Sequence, residues 1–241
     1  MPTIRSNLSI PLSALKKVGD DQMEVDVQTR EDTAFRPLCV KCGVFGAQDG
    51  SGYAEFGNTR VLAQINGPES DGKWEENYAK ITVTLKGLSD QKAAEYRGQI
   101  TSALTAVIFA NKYPGKVIDI EVTVISDDGG ALAACLTAAS LALTHSGIEN
   151  MGLMSIVHVG LKPDGKYITD PSTSESTSNS IIGGVTLGLV PNLNRVPCID
   201  MYGRIPVQST TSLIEFAKQR AISLVPTLHK AILNSVREAQ K

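Results

Sequence analysis

The stretch spanning residues 116–143 constrains this chain more than any other. Over residues 116–125, Ile118, Ile120, Val122 and Val124 alternate with Asp119, Glu121 and Thr123. That is the period of a strand with one buried face. Asp127-Asp128-Gly129-Gly130 breaks the alternation. Residues 131–143 then carry no charge, only Ala, Leu and Cys broken by Thr137 and Ser140. The run is too short and too small-residued to span a membrane, so it reads as a buried helix ending near His145-Ser146-Gly147.

Strand signals precede this unit. Leu38-Cys39-Val40-Lys41-Cys42-Gly43-Val44 reads as a strand, and Gln48-Asp49-Gly50-Ser51-Gly52 as a turn cluster. Segments 53–56 and 60–65 form a hairpin around Gly57-Asn58, and Gly67-Pro68 closes it before a polar loop over 69–77. Alternation over 79–86 predicts a further strand. Tyr96, Ile100, Leu104 and Val107 then place a helix within 90–111, which Tyr113-Pro114-Gly115 terminates. Strands are expected at 154–161, 182–190 and 196–201. A last helix starts near Thr210-Thr211-Ser212, a natural N-cap cluster, with Leu213, Phe216, Leu224, Leu228 and Ile232 on its apolar face. Pro226 should kink or interrupt it. Residues 1–30 read as an extended arm, with one short helix near 12–17. The order predicts α/β with mixed sheets in a single compact domain over 31–241.

Composition excludes several classes. The 42% hydrophobic and 20% charged content is that of a soluble globular protein. The N-terminus shows no signal-peptide pattern, so an intracellular location without a membrane is expected. Four cysteines give no disulfide framework. Cys39 and Cys42 form a C-x-x-C, but residues three apart on a strand point to opposite faces. They read as half-buried cysteines, and neither metal nor cofactor is expected. A formal net charge of −2 argues against an autonomous nucleic-acid binder, which usually carries a basic excess.

Three ordered segments carry a resemblance. Gly50-Ser51-Gly52-Tyr53-Ala54-Glu55-Phe56-Gly57-Asn58-Thr59-Arg60-Val61-Leu62 runs into Ile65-Asn66-Gly67-Pro68. Tyr113-Pro114 leads the strand to Asp128-Gly129-Gly130. Leu136-Thr137-Ala138-Ala139-Ser140-Leu141-Ala142-Leu143 precedes Ser146-Gly147-Ile148. Together they resemble the RNase PH family over roughly residues 30–235. The resemblance implies an RNase PH-like fold (ribosomal protein S5 domain 2-like) and six-membered rings around a channel for single-stranded RNA. Asp170-Pro171-Ser172-Thr173-Ser174-Glu175 and residues 184–194 resemble the mRNA-transport-regulator type of exosome ring subunit, which is non-catalytic.

Active members of the family use phosphate to cleave RNA from its 3′ end, which calls for cations, N–H donors and a carboxylate. By the resemblance, a hydroxyl residue and an arginine would follow Gly129-Gly130. Ala131 and Leu132 stand there, so the helix N-terminus survives without its guanidinium. Asp170 matches the first of two expected aspartates and Ser176 falls at the second, with Glu175 adjacent. An expected arginine pair appears as Gln91-Lys92, and Thr33-Ala34 replaces an expected glycine and arginine. Candidate RNA contacts are Arg60, Lys92 and Arg97, although exposed basic residues on a helix or hairpin are usually plain solvated surface. Asp127 and Asp128 read as helix caps, and Asp170 as a turn former before Pro171.

The resemblance therefore implies a structural ring subunit with a degenerate phosphate and catalytic site at Ala131, Leu132, Asp170 and Ser176. Its expected partners are other RNase PH-like subunits in a hetero-hexameric ring, RNA-binding cap proteins, an associated exoribonuclease and single-stranded RNA in the channel. Nucleus, nucleolus and cytoplasm are the expected locations. The competing readings are an active phosphorolytic exoribonuclease, with a composite site completed by a ring neighbour, and an RNA-binding adaptor outside any ring.

Overall fold

The computed structural model describes residues 30–45, 50–70, 72, 76–177 and 180–239. The expected arm over 1–30, with its helix near 12–17, lies almost wholly outside the described residues.

Alternation builds the first sheet. Strands β1 (Leu38–Cys42), β2 (Gly50–Phe56), β3 (Thr59–Glu69), β4 (Lys80–Lys86) and β5 (Val117–Ser126) are joined in the order β1-β2-β3-β5-β4. All neighbours are antiparallel except β4 and β5, which run parallel. The parallel pair needs a crossover, and helix α1 (Asp90–Thr105) lies in it. Ile118, Ile120, Val122 and Val124 are buried as their spacing predicts.

Helix α2 (Ala131–His145) packs on this sheet, and every residue from Ala131 to Leu143 is buried. On its far side lies a second sheet, ordered β7-β6-β8-β9, of β6 (Ser155–Leu161), β7 (Tyr167–Thr169), β8 (Gly183–Val190) and β9 (Arg195–Gly203). Strand β8 is buried at all eight positions, as expected of a strand covered on both faces. Helix α4 (Val207–Ala239) covers the sheet opposite α2, with Leu213, Ala217 and Ala221 against Val157, Val159, Val185 and Leu187.

Several expectations are corrected. Gly50-Ser51-Gly52 is not a turn but the start of β2. A Cβ on Gly52 would lie 2.3 Å from the Ala138 carbonyl oxygen, and one on Gly50 2.3 Å from the Ser146 Cβ. These glycines let strand and helix approach closely, a role that composition alone confuses with turn formation. Strand β3 continues through Gly67-Pro68 with a register shift between Asn66 and Glu69. Helix α1 ends at Thr105, and a short 3-10 turn over Ala110–Lys112 precedes Tyr113. Strand β7 and the short helix α3 (Thr173–Thr177) were not expected; three and five residues are too few to show a period. Helix α4 begins at Val207, just after Pro206, ahead of the expected N-cap cluster. It runs through Pro226 without interruption. Pro226 and Ile222, whose carbonyl loses its helical partner, are both exposed, so water can take that bond.

Candidate functional site

The strand-to-helix turn between β5 and α2 is held by a residue that the sequence did not single out. Arg36, only 8% exposed, donates from Nε to Asp170 Oδ2 (2.8 Å) and from Nη2 to Asp170 Oδ1 (2.7 Å). Its remaining N–H groups reach the carbonyls of Asp128 (2.7 Å) and Gly129 (2.9 Å). Thr59 adds a second brace. Its Oγ1 donates to the Gly129 carbonyl at 2.7 Å and accepts from the Asp128 N–H at 2.9 Å. A planar fork on a carboxylate and two carbonyls is the geometry for which arginine is suited.

Asp170 therefore occupies a structural place. It is 2% exposed and adopts φ 51°, a left-handed conformation that aspartate tolerates. Ser176 donates from Oγ to the Ser172 carbonyl at 2.9 Å. Glu175 accepts from the Ser172 N–H at 2.7 Å, while the Ser172 Oγ accepts from the Glu175 N–H at 3.2 Å. That reciprocal pair is a capping box opening α3. Asp127 and Asp128 do not cap α2, whose N-cap is Gly130 at φ 70° with no side-chain cap bond. Instead Asp127 accepts from the Gly129 N–H at 3.0 Å and pairs with Lys92 at 3.5 Å. Asp128 accepts from Asn58 at 3.2 Å.

Beside this turn a cleft of about 240 Å³ opens between α1, α2 and the second sheet. The N-terminus of α2 lines it with Gly130, Ala131 and Leu132. Lys92, Glu95 and Tyr96 come from α1, His158 from β6, Thr186 from β8, and Asp200 and Tyr202 from β9. Ala131 and Leu132 are 2% and 3% exposed, and neither carries a hydroxyl or guanidinium group. Neither Asp170, Glu175 nor Ser176 is among the lining residues.

The charges lining the cleft are mixed. Among the described residues that line it, Lys92 is the one cation, against the carboxylates of Glu95 and Asp200. Asp200 Oδ1 accepts from Gln99 Nε2 at 2.9 Å. His158 Nδ1 lies 2.9 Å from Thr186 Oγ1, and its ring stacks on Tyr202 at 5.6 Å between centroids. Burial of the imidazole pushes its pKa down to about 4; Asp170 pulls it up and Arg36 down. The ring is neutral at pH 7 and brings no charge to a phosphate. Burial also raises Tyr202, helped by Asp200, and pushes Tyr96 up to about 12, with Asp127 the next cause.

The three candidate RNA contacts come from two elements, β3 and α1, and Arg60 stands opposite Ser126, beside the Asp127 that pairs with Lys92. Lys92 lines the cleft. Arg97 is exposed on α1, roughly 140° around the helix from Lys92. Arg60 sits on the first sheet and donates to Glu55 Oε1 at 3.0 Å. Cys42 is buried on β1 with its thiol pushed up to about 11 by burial, and Cys39 is half-buried. Sequence reasoning passed over Arg36, Glu95, Tyr96, His158, Thr186, Asp200 and Tyr202. His158 had a signal, being the one titratable residue in a strand otherwise apolar but for Ser155. Arg36 had none beyond standing before Pro37.

The chain matches the 3′ exoribonuclease family, domain 1 (RNase PH), over residues 34–149. The putative exosome complex component RRP41 of Caenorhabditis briggsae is 30% identical over 203 residues, covering 78% of this chain and 83% of that protein. This chain belongs to the RNase PH family. A second relative is the human exosome complex component MTR3, 27% identical over 87% of this chain and 86% of its own length. The fold matches the crystal structure of rice (Oryza sativa) Rrp46 with a TM-score of 0.74 at 22% identity, covering 84% of this chain and 98% of that one. The RNase PH-like fold expected from the sequence is thus the fold observed. The matched family domain ends just past α2, so the cleft combines that domain with residues of β6, β8 and β9.

Proposed function

We propose that this chain is a non-catalytic structural subunit of an RNA exosome ring, of the mRNA-transport-regulator type. One observation carries the reading: the N-terminus of α2 opens on a cleft with one lysine, two carboxylates and the side chains of Ala131 and Leu132. A phosphate there would meet the N–H groups of a helix start but no guanidinium, and Glu95 and Asp200 would repel it. The carboxylates nearest the expected catalytic position support the same reading. Asp170 is bound by Arg36 and Glu175 by the first turn of α3. In this reading the chain pairs with RNase PH-like neighbours in a hetero-hexameric ring and helps line the channel for single-stranded RNA. It also offers a face to RNA-binding cap proteins, while an associated exoribonuclease degrades the RNA, in the nucleus, nucleolus and cytoplasm.

The test is phosphorolysis of a labelled single-stranded RNA by the chain alone and by the ring assembled with its neighbours, each with and without phosphate. The scaffold reading expects no nucleoside diphosphate from either. Phosphate-dependent trimming by the ring that is lost on Lys92→Ala would replace it with a composite active site.

A further inference from the structure

Helix α4 carries two apolar faces. One holds Leu213, Ala217, Ala221, Leu224 and Leu228 and is buried. The other is open. Ile222 is 55% exposed, Leu233 56% and Val236 50%, and Pro226 and His229 between them are exposed too. Positions 222, 226, 229, 233 and 236 are spaced four, three, four and three apart. That is the 3.5-residue repeat of a helix that packs along another helix. At 100° per residue the five fall within a sector of about 80°, nearly opposite the buried face. A single exposed aliphatic residue is ordinary. Three exposed aliphatic residues aligned at heptad spacing, with Pro226 and His229 between them, fit a surface that is covered in use.

The flanks identify what covers it. On one side Ile222, His229 and Val236 are each followed by Ser223, Lys230 and Arg237, and both cations are exposed. On the other side lie Val225 and Ile232, half-buried against the body of the protein. Residues in these flanking positions choose partners by charge across a helix pair. A second copy of α4 docked antiparallel would set Lys230 and Arg237 against the same cations. We propose that the seam receives an acidic amphipathic helix from a partner protein. Its aliphatic residues would pack on Ile222, Leu233 and Val236, and its carboxylates would face Lys230 and Arg237. This surface lies away from the cleft, and the proposal stands whether or not the chain is catalytic.

The probe is a fluorescent helical peptide of about three heptads with Leu at the seam and Glu beside it, compared with a version carrying Lys in place of Glu. Anisotropy titrations against the full chain should show the Glu peptide binding about tenfold tighter or more than the Lys peptide, and more weakly as salt rises. Leu233→Asp should weaken the Glu peptide by about tenfold without moving Tm. Because that variant tests only apolar contact, Lys230→Glu with Arg237→Glu provides the second arm and should reverse the preference between peptides. Equal binding of both peptides, no binding of either, or indifference to Leu233→Asp overturns the proposal. So does a concentration-dependent dimer in sedimentation that Leu233→Asp abolishes, because a second copy would then be the occupant.

Discussion

Helices α2 and α4 lie on opposite faces of the second sheet and differ in how much of their surface the chain itself covers. Helix α2 is short, made of Ala, Leu and small polar residues, and buried from Ala131 to Leu143 between the two sheets. Helix α4 is more than twice as long, strongly amphipathic, and keeps a row of aliphatic side chains in solvent. Small side chains permit close approach from both sides, as at Gly52 over Ala138. Long ones need a groove, and α4 finds a groove on one side only. Among the described residues, the first helix is covered on both sides, whereas the second keeps Ile222, Leu233 and Val236 exposed.

That contrast can be broken first at the start of α2. Asp170→Asn keeps the left-handed backbone but removes the carboxylate that forks the buried Arg36 guanidinium, leaving it only the longer, partly exposed ion pair to Asp128 at 3.6 Å. The expected loss is about 3–5 kcal/mol, the range for removing one partner of a buried pair. Urea unfolding measures it, and a loss below about 1 kcal/mol would mean the clamp does not hold this turn. Gly52→Ala drives a methyl group towards the Ala138 carbonyl and the Ala142 nitrogen, at 2.3 and 2.7 Å. A destabilisation of about 1–3 kcal/mol is expected by the same measurement; a neutral result would show that α2 can slide on β2.

The third test uses protons. His158 has a folded pKa pushed down to about 4 from 6.5 by burial, so the unfolded chain binds the proton more readily. Stability should fall as pH drops from about 6.5 towards 4, with a slope approaching about 1 kcal/mol per pH unit at its steepest. His158→Gln should flatten the Tm-against-pH curve in that window, and an unchanged slope would place the titration elsewhere. The smallest effect belongs to the open face of α4. Leu233→Ser should change stability by no more than about 0.5 kcal/mol. A larger loss would show that the chain already covers Leu233.

The sequence displayed some of this plainly and hid the rest. Residues 116–125 and the Gly57-Asn58 hairpin were legible because alternation and turn chemistry are local. Helix α2 was legible from its uncharged run. Gly50 and Gly52 misled because a glycine that turns a chain and one that admits a helix are the same letter. Pro226 misled because its cost depends on whether solvent can replace one bond. That Ala131 and Leu132 open α2 was readable from the Gly129-Gly130 that precedes them. Arg36 and Asp170 stand 134 residues apart, and no local pattern joins them. The lining supplied by β6, β8 and β9 was hidden in the same way, since a cleft between elements has no period.

The Arg36 clamp also sets an order on the making of the protein. A ribosome releases Arg36 early, then the carbonyls of Asp128 and Gly129, and the Asp170 carboxylate only with the residues that follow β7. Contacts so distant along the chain form late. Until then the arginine stays hydrated and the turn before α2 lacks its brace. A nascent chain halted before β7 would hold all five strands of the first sheet and an Ala-rich helix whose second side only β6 can begin to cover. Such a fragment is sticky; Asp170 completes the brace on the turn before α2, and β8, β9 and α4, which follow it, close the second side.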